Sequence, residues 1–108
     1  MANLPYDPTT VLGKVRLLAT DTDLTNPIYS DDEINAFLSL ENNNTRRAAA
    51  LALETCAVNE TLVLKRITLL DLSTDGPATA AMLLKRAEIL RDNADAEDSG
   101  AAFDWLPE

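Results

Sequence analysis

Histidine is absent from this chain, cysteine occurs once and glycine three times among 108 residues. Without histidine, the commonest general base and the commonest zinc ligand are both missing. Cys56 has no imidazole partner, which excludes a Cys-His nucleophile. With no second cysteine it forms no intramolecular disulfide, and nothing points to export. It sits among Leu53, Ala57 and Val58, where a buried, inert thiol is expected. Neither glycine-rich phosphate loop, G-x-x-x-x-G-K-[ST] or G-x-G-x-x-G, occurs. The carboxylates are spread over helical patterns, so the sequence predicts no enzyme, no cofactor and no metal centre. There is no apolar run of about 20 residues, no signal peptide and no lipidation motif. The expectation is a soluble protein made in a cytoplasm, with no membrane partner.

Aromatic residues make up only 5% of the chain, and most of its apolar residues are Ala and Leu. That composition favours helices packed at close range over a sheet, which would want Val, Ile, Thr and aromatics. The formal charge of −9, with a pI near 4.3, repels phosphate backbones, so specific DNA or RNA binding is not expected. A basic partner surface would be attracted, and a small acidic module binding such a surface is the reading that charge alone suggests. The basic residues form no block. Arg46-Arg47, Lys65-Arg66 and Lys85-Arg86 are pairs on helical patterns, expected to be solvated or ion-paired.

The pattern along the chain predicts an all-α fold. It is a compact bundle of about four helices with a long central helix, an extended N-terminal arm and a C-terminal tail. The arm covers residues 1–7. Asp7-Pro8 reads as an N-cap with proline at the first helical position, opening a helix over about 8–19 whose face is Val11, Leu12, Val15 and Leu18. Ser30-Asp31-Asp32-Glu33 is a capping box, with Tyr29 and Ile34 placed as a hydrophobic staple, and starts a helix over about 31–40. Its stripe is Ile34, Phe37 and Leu38, and "ENNN" at 41–44 ends it. The central helix is expected over about 45–70, with Ala49, Leu53, Cys56, Ala57, Leu64 and Ile67 inward. "DLSTDGP" at 71–77 is a turn. The last helix, about 77–96, carries a main stripe of Ala80, Leu83, Leu84, Ala87, Leu90 and Ala94. Met82 and Ile89 form a second line on another face, which predicts either a more deeply buried helix or contact with another chain. Residues 1–96 thus read as one domain and 97–108 as an acidic and aromatic tail. Phe103, Trp105 and Leu106 follow a polar break, where they either fold back or anchor the tail on a partner.

"DTDLTNPIYSDDEI", residues 21–34, resembles a calcium loop, with Asp21, Asp23, Thr25 and Asp32 at ligand positions. An EF-hand wants Gly at its sixth position and Glu at its twelfth. Here these are Asn26 and the shorter Asp32, while Ser30 and Glu33 already serve the capping box. An acidic turn abutting a helix cap fits better than a calcium-responsive module.

Three stretches, "VRLLATDTDLTNPIYSDDEINAFL", "AAALALETCAVN" and "KRITLLDLSTDGPATAAMLLKRAEILRDNA", resemble in order and spacing the head–tail connector (adaptor, or head completion) proteins of long-tailed bacteriophages. The resemblance covers about residues 11–94. It implies a structural virion protein of the neck, a ring beneath the portal that extends the DNA channel and offers a platform for a stopper or tail protein. The portal and further copies of the chain, about twelve in a closed ring, would be its partners, with DNA passing unbound. Such a ring needs two different faces on each subunit. Met82 and Ile89 would then meet the portal or a neighbour. Lys65, Arg66, Lys85 and Arg86 would pair with an adjacent subunit, and Phe103, Trp105 and Leu106 would dock on the portal.

Overall fold

A computed structural model describes residues 7–69 and 75–103, with side chains as far as residue 99. The expectations for residues 1–6, for Leu70 to Thr74, and for the side chains of Phe103, Trp105 and Leu106 lie outside the described residues. Every regular element described is helical: α1 Val11–Ala19, α2 Asp31–Leu40, α3 Thr45–Ala57, α4 Glu60–Leu69 and α5 Gly76–Phe103.

α1 starts three residues later than Asp7-Pro8 suggested. Its N-cap is Thr10, whose hydroxyl accepts from the Gly13 amide at 2.9 Å. Asp7 instead organises the preceding turn by accepting from the Thr9 amide at 2.9 Å and from the Thr9 hydroxyl. Those bonds, the hydroxyl's foremost, hold its carboxyl below the usual carboxylate range. The turn folds so closely over α1 that a Cβ on Gly13 would collide with the Asp7 carbonyl. Gly13 is therefore a packing requirement. α2 opens with the expected capping box, both halves of which are formed. It closes through "NNN": Asn42 and Asn43 adopt positive φ of 57° and 63°, which asparagine tolerates better than most residues. Asn44 then caps α3 by accepting from the Arg47 amide at 3.0 Å.

The single helix expected over 45–70 is two helices. α3 stops at Val58, and Asn59 starts α4 as a cap, its side-chain oxygen accepting from the Leu62 amide at 3.2 Å and its carbonyl from the Val63 amide at 3.0 Å. Asparagine offers the backbone this alternative to continuing the helix. The break changes which residues face inward. Val63 and Arg66 become the buried residues of α4, and Leu64, expected in the core, is exposed.

α3 is the central element and packs against all four other helices. Ala48, Ala49, Ala50 and Ala52 are buried almost completely, which lets neighbouring backbones come near from several sides. α5 lies along α3 and α4 and buries Thr79, Leu83, Ala87, Leu90 and Ala94. Leu84 belongs to the outer surface, and α5 runs on to Phe103 rather than stopping near 96. Arg91 locks α5 to α3 with a two-pronged pair to Glu54 at 2.7 and 2.8 Å, and reaches Glu41 at the end of α2 at 3.2 Å. These carboxylates, Glu54 first, push the Arg91 guanidinium further above its usual range.

The changed register is testable. Val63→Ala should cost about 2 kcal/mol through lost burial and a cavity. Leu64→Ala should stay within about 0.5 kcal/mol of the wild type, as surface substitutions do. Urea unfolding of the two variants checks this. Equal and large losses would restore the continuous helix.

Candidate interaction surface

The acidic stretch that resembles a calcium loop is a corner held by a buried arginine. Arg16, at the end of α1, is 1% exposed. Its Nη1 donates to Asp21 Oδ2 at 3.0 Å, and its Nη2 to the Tyr29 carbonyl at 2.8 Å and to Asp31 Oδ1 at 2.9 Å. Asp21 also accepts from the backbone amides of Ile28 at 2.8 Å and Tyr29 at 2.9 Å. Both its oxygens are thus engaged by protein donors. Asp23 accepts from the Thr25 hydroxyl at 2.6 Å and amide at 3.1 Å, bonds that depress its carboxyl. Among the described residues no three His, Cys, Asp or Glu side chains converge on a point. Asp21, Asp23 and Thr25 are therefore spent on shaping the turn. The corner also aims Tyr29 inward. Its hydroxyl donates to the Ala52 carbonyl at 3.0 Å, its ring meets Phe37 edge-on at 4.9 Å, and burial raises its pKa well above the ordinary tyrosine value.

The basic pairs separate into inward and outward members. Arg46 pairs with Glu97 at 3.1 Å, and Arg47 with both Asp95 and Asp98 at 2.7 Å, which clamps the start of α3 to α5. Those acidic partners, Asp98 first, raise the Arg47 guanidinium. Arg66 is only 2% exposed and gives Nη1 to the Thr20 hydroxyl at 2.7 Å, so its guanidinium faces the fold and not a neighbouring subunit. Its Nε and Nη2 have no partner among the described residues. Thr20 sits at a positive φ of 55°, unfavourable for a β-branched residue, and its hydroxyl is what meets Arg66. Lys65 is exposed and donates to the Pro27 carbonyl at 2.6 Å. Lys85 reaches Glu88 one turn away at 3.0 Å, and that bond raises its ammonium. Arg86 is exposed with no ion pair among the described residues. Burial of Arg16 and Arg66 was beyond the reach of the pattern, since both stand on helices where arginine usually faces water.

Several large apolar residues face outward. Met82 is 54% exposed and Ile89 39%, seven residues apart on one side of α5. On its other side Pro77 and Ala80 form a cleft of about 360 Å³ with Ala57, Val58, Val63 and Leu64, directly over the α3–α4 break. Glu60 and Gly76 complete its wall. A second cleft, of about 270 Å³, lies at the opposite end of the molecule between α1, the start of α3 and Glu97 of α5. Neither cleft gathers a nucleophile with a base. Among the described residues no helix is long and apolar enough to cross a membrane. No family model, curated protein or solved structure matches the chain.

Two outcomes follow from the corner. Asp21→Asn strands the buried Arg16 guanidinium beside the largely exposed Asp31 alone, and should cost about 3 kcal/mol in urea unfolding. The melting temperature of the wild type should not move when millimolar calcium is added. Tyr29 gives a separate, pH-dependent signature. A tyrosine whose pKa is raised by folding stabilises fully below its unfolded value of about 10, and that stability is lost as pH rises beyond it. Tyr29→Phe should therefore flatten the alkaline limb of stability against pH. Parallel thermal melts from neutral to strongly alkaline pH check this.

Proposed function

We propose that this chain is a structural subunit, a non-catalytic helical adaptor whose work is to hold other proteins together. The particular role we infer is that of a head–tail connector of a long-tailed bacteriophage. It is made in the host cytoplasm and built into the virion neck. Copies form a ring beneath the portal, about twelve-fold by match to portal symmetry, which extends the DNA channel and presents a platform to a stopper or tail protein. The observation that carries this reading is the ordered set of motifs over residues 11–94, from the D-T-D turn through the Ala-rich helix to D-L-S-T-D-G and L-R-D-N-A.

Two features support it physically. A closed ring needs unlike faces on one subunit, and the exposed Met82–Ile89 line and the cleft under Pro77 are apolar surfaces on different sides of α5. The acidic balance suits a channel through which DNA slides without sticking. In this reading Met82 and Ile89 meet the portal or the neighbouring copy, and the exposed Lys65, Lys85 and Arg86 face acidic groups of the adjacent subunit. Phe103, Trp105 and Leu106 dock on the portal once assembly begins.

The test mixes purified protein with the portal of the same virus and images the product. Wild-type chain should give a joint ring-shaped particle. Met82→Asp combined with Ile89→Asp should leave unfolding within about 1 kcal/mol of wild type, because both positions are solvent-facing, and should abolish that particle. A chain that stays monomeric at every concentration and shows no affinity for portal would remove the proposal.

A further inference from the structure

We propose that the ridge of Met82, Arg86 and Ile89 on α5 of one copy seats in the cleft over the α3–α4 break of a second copy, with Arg86 paired to the second copy's Glu60. The contact rests on the ring reading in requiring copies to associate, and goes beyond it by naming both halves of the interface.

Ridge and cleft complement each other in polarity and charge. Arg86 follows Met82 by four residues and precedes Ile89 by three, so the three share one side of α5 over about 10 Å of helix axis. All three are exposed. Among the described residues Arg86 has no ion pair, whereas Lys85 beside it is held by Glu88. The ridge is thus apolar at both ends with one unspent cation between. In the cleft Val63 is covered, while Val58 and Leu64 are 81% and 54% exposed. Glu60 stands exposed on the same wall as the first residue of α4, and it too has no ion pair among the described residues. The recess of about 360 Å³ is lined otherwise by Ala57, Gly76, Pro77 and Ala80, so Glu60 is its one polar side chain. A small polar ligand would find a single anchor there, where ligand sites converge several. An apolar ridge carrying one cation has the matching composition.

One chain cannot make this contact with itself. Pro77 and Ala80 border the cleft from α5. At about 100° per residue, Met82 lies roughly 140° around the helix from Pro77, and Ile89 roughly 180° from Ala80. Ridge and cleft therefore point apart, and a copy that fills its neighbour's cleft leaves its own open to the next. Such a head-to-tail contact closes into a ring when the rotation per copy divides a full turn. A two-fold pair cannot fill both clefts at once. Set ridge on ridge it would bring Arg86 against Arg86, and cleft on cleft Glu60 against Glu60, both of them repulsive. A few large apolar side chains and one ion pair are less than the roughly 20–30 residues a side of a standard interface, so the contact between free copies is weak and gains strength from ring closure.

Leu64→Cys and Met82→Cys place one thiol on the cleft and one on the ridge of otherwise full-length protein. Both positions are solvent-facing and Cys56 is buried, so each variant should keep its fold, which circular dichroism and thermal melts check. Mild oxidation of the two variants mixed at high concentration should give a disulfide-linked pair holding one of each, in several-fold excess over self-pairs of either. Arg86→Glu or Glu60→Arg, introduced alone into both variants, should lower that mixed yield about tenfold, because like charges then meet. The two reversals together should restore it, a recovery that damage to the fold does not produce. Absence of the mixed pair, self-pairs as abundant as mixed ones, a yield indifferent to charge reversal, or a double reversal without recovery would each overturn the contact. Portal is absent from the experiment, so its outcome is separate from the connector role. Mixed pairs in a chain without portal affinity keep the contact and remove that role, and a portal-bound ring that survives Arg86→Glu does the reverse.

Discussion

The buried contact between Arg16 and Asp21 is the constraint around which the rest of the molecule is arranged. A guanidinium and a carboxylate removed from water are each costly, and their attraction offsets that cost only when the remaining donors and acceptors are also satisfied. Here Asp21 takes two backbone amides as well as the arginine, and Arg16 adds a carbonyl and the Asp31 carboxylate, which leaves only its Nε without a partner among the described residues. Five positions between 16 and 31 are drawn into one network that joins the end of α1 to the start of α2. Because the turn is fixed, Tyr29 points into α3, and Thr20 takes the left-handed conformation from which its hydroxyl meets Arg66 of α4. A local ionic knot thereby sets the relation between four helices.

Much of this fold was legible in the sequence because its signals are local. Ser30 and Glu33 are three residues apart, and the capping box requires nothing beyond that spacing. "ENNN" ends α2 because asparagine accepts positive φ, and the Ala-rich run identifies the helix that others approach. The errors have a common origin in choices made by distant groups. Asn59 reads equally well inside a helix or as a cap, and the packing of α4 selects the cap. Once the helix breaks there, the periodicity continued from α3 places Leu64 inside, when Val63 and Arg66 are the residues that go in. Arg16 and Arg66 look like surface cations from their own neighbours in sequence. Their acceptors, Asp21, Tyr29, Asp31 and Thr20, become visible only when the chain has turned back on itself. The candidate surface was less legible still. Met82 and Ile89 were separable from the core stripe by phase, but the two clefts are made by residues from three helices each.

The distribution of charge follows from the same economy of cations. Arg46, Arg47 and Arg91 are committed to holding α5 against α3, and Arg16 to the corner. Lys85 is tied to Glu88, and Lys65 to a carbonyl. Lys14 and Arg86 remain as exposed cations without an acceptor among the described residues. The negative excess is therefore displayed outward while most of the positive charge serves as internal bracing.

The alanines of α3 carry a consequence for the thermodynamics of folding. Ala48, Ala49, Ala50 and Ala52 occupy the most crowded positions of the molecule, yet alanine has no rotatable side-chain torsion to freeze. A core built there from leucine or methionine would lose on the order of 0.5 to 2 kcal/mol of rotamer entropy at each position. At these four positions the helix loses only backbone freedom, and alanine gives up that freedom to a helix more readily than any other residue. A chain of 11.7 kDa with few aromatic residues thus gains an ordered centre by keeping the conformational cost of ordering low as well as by the area it buries.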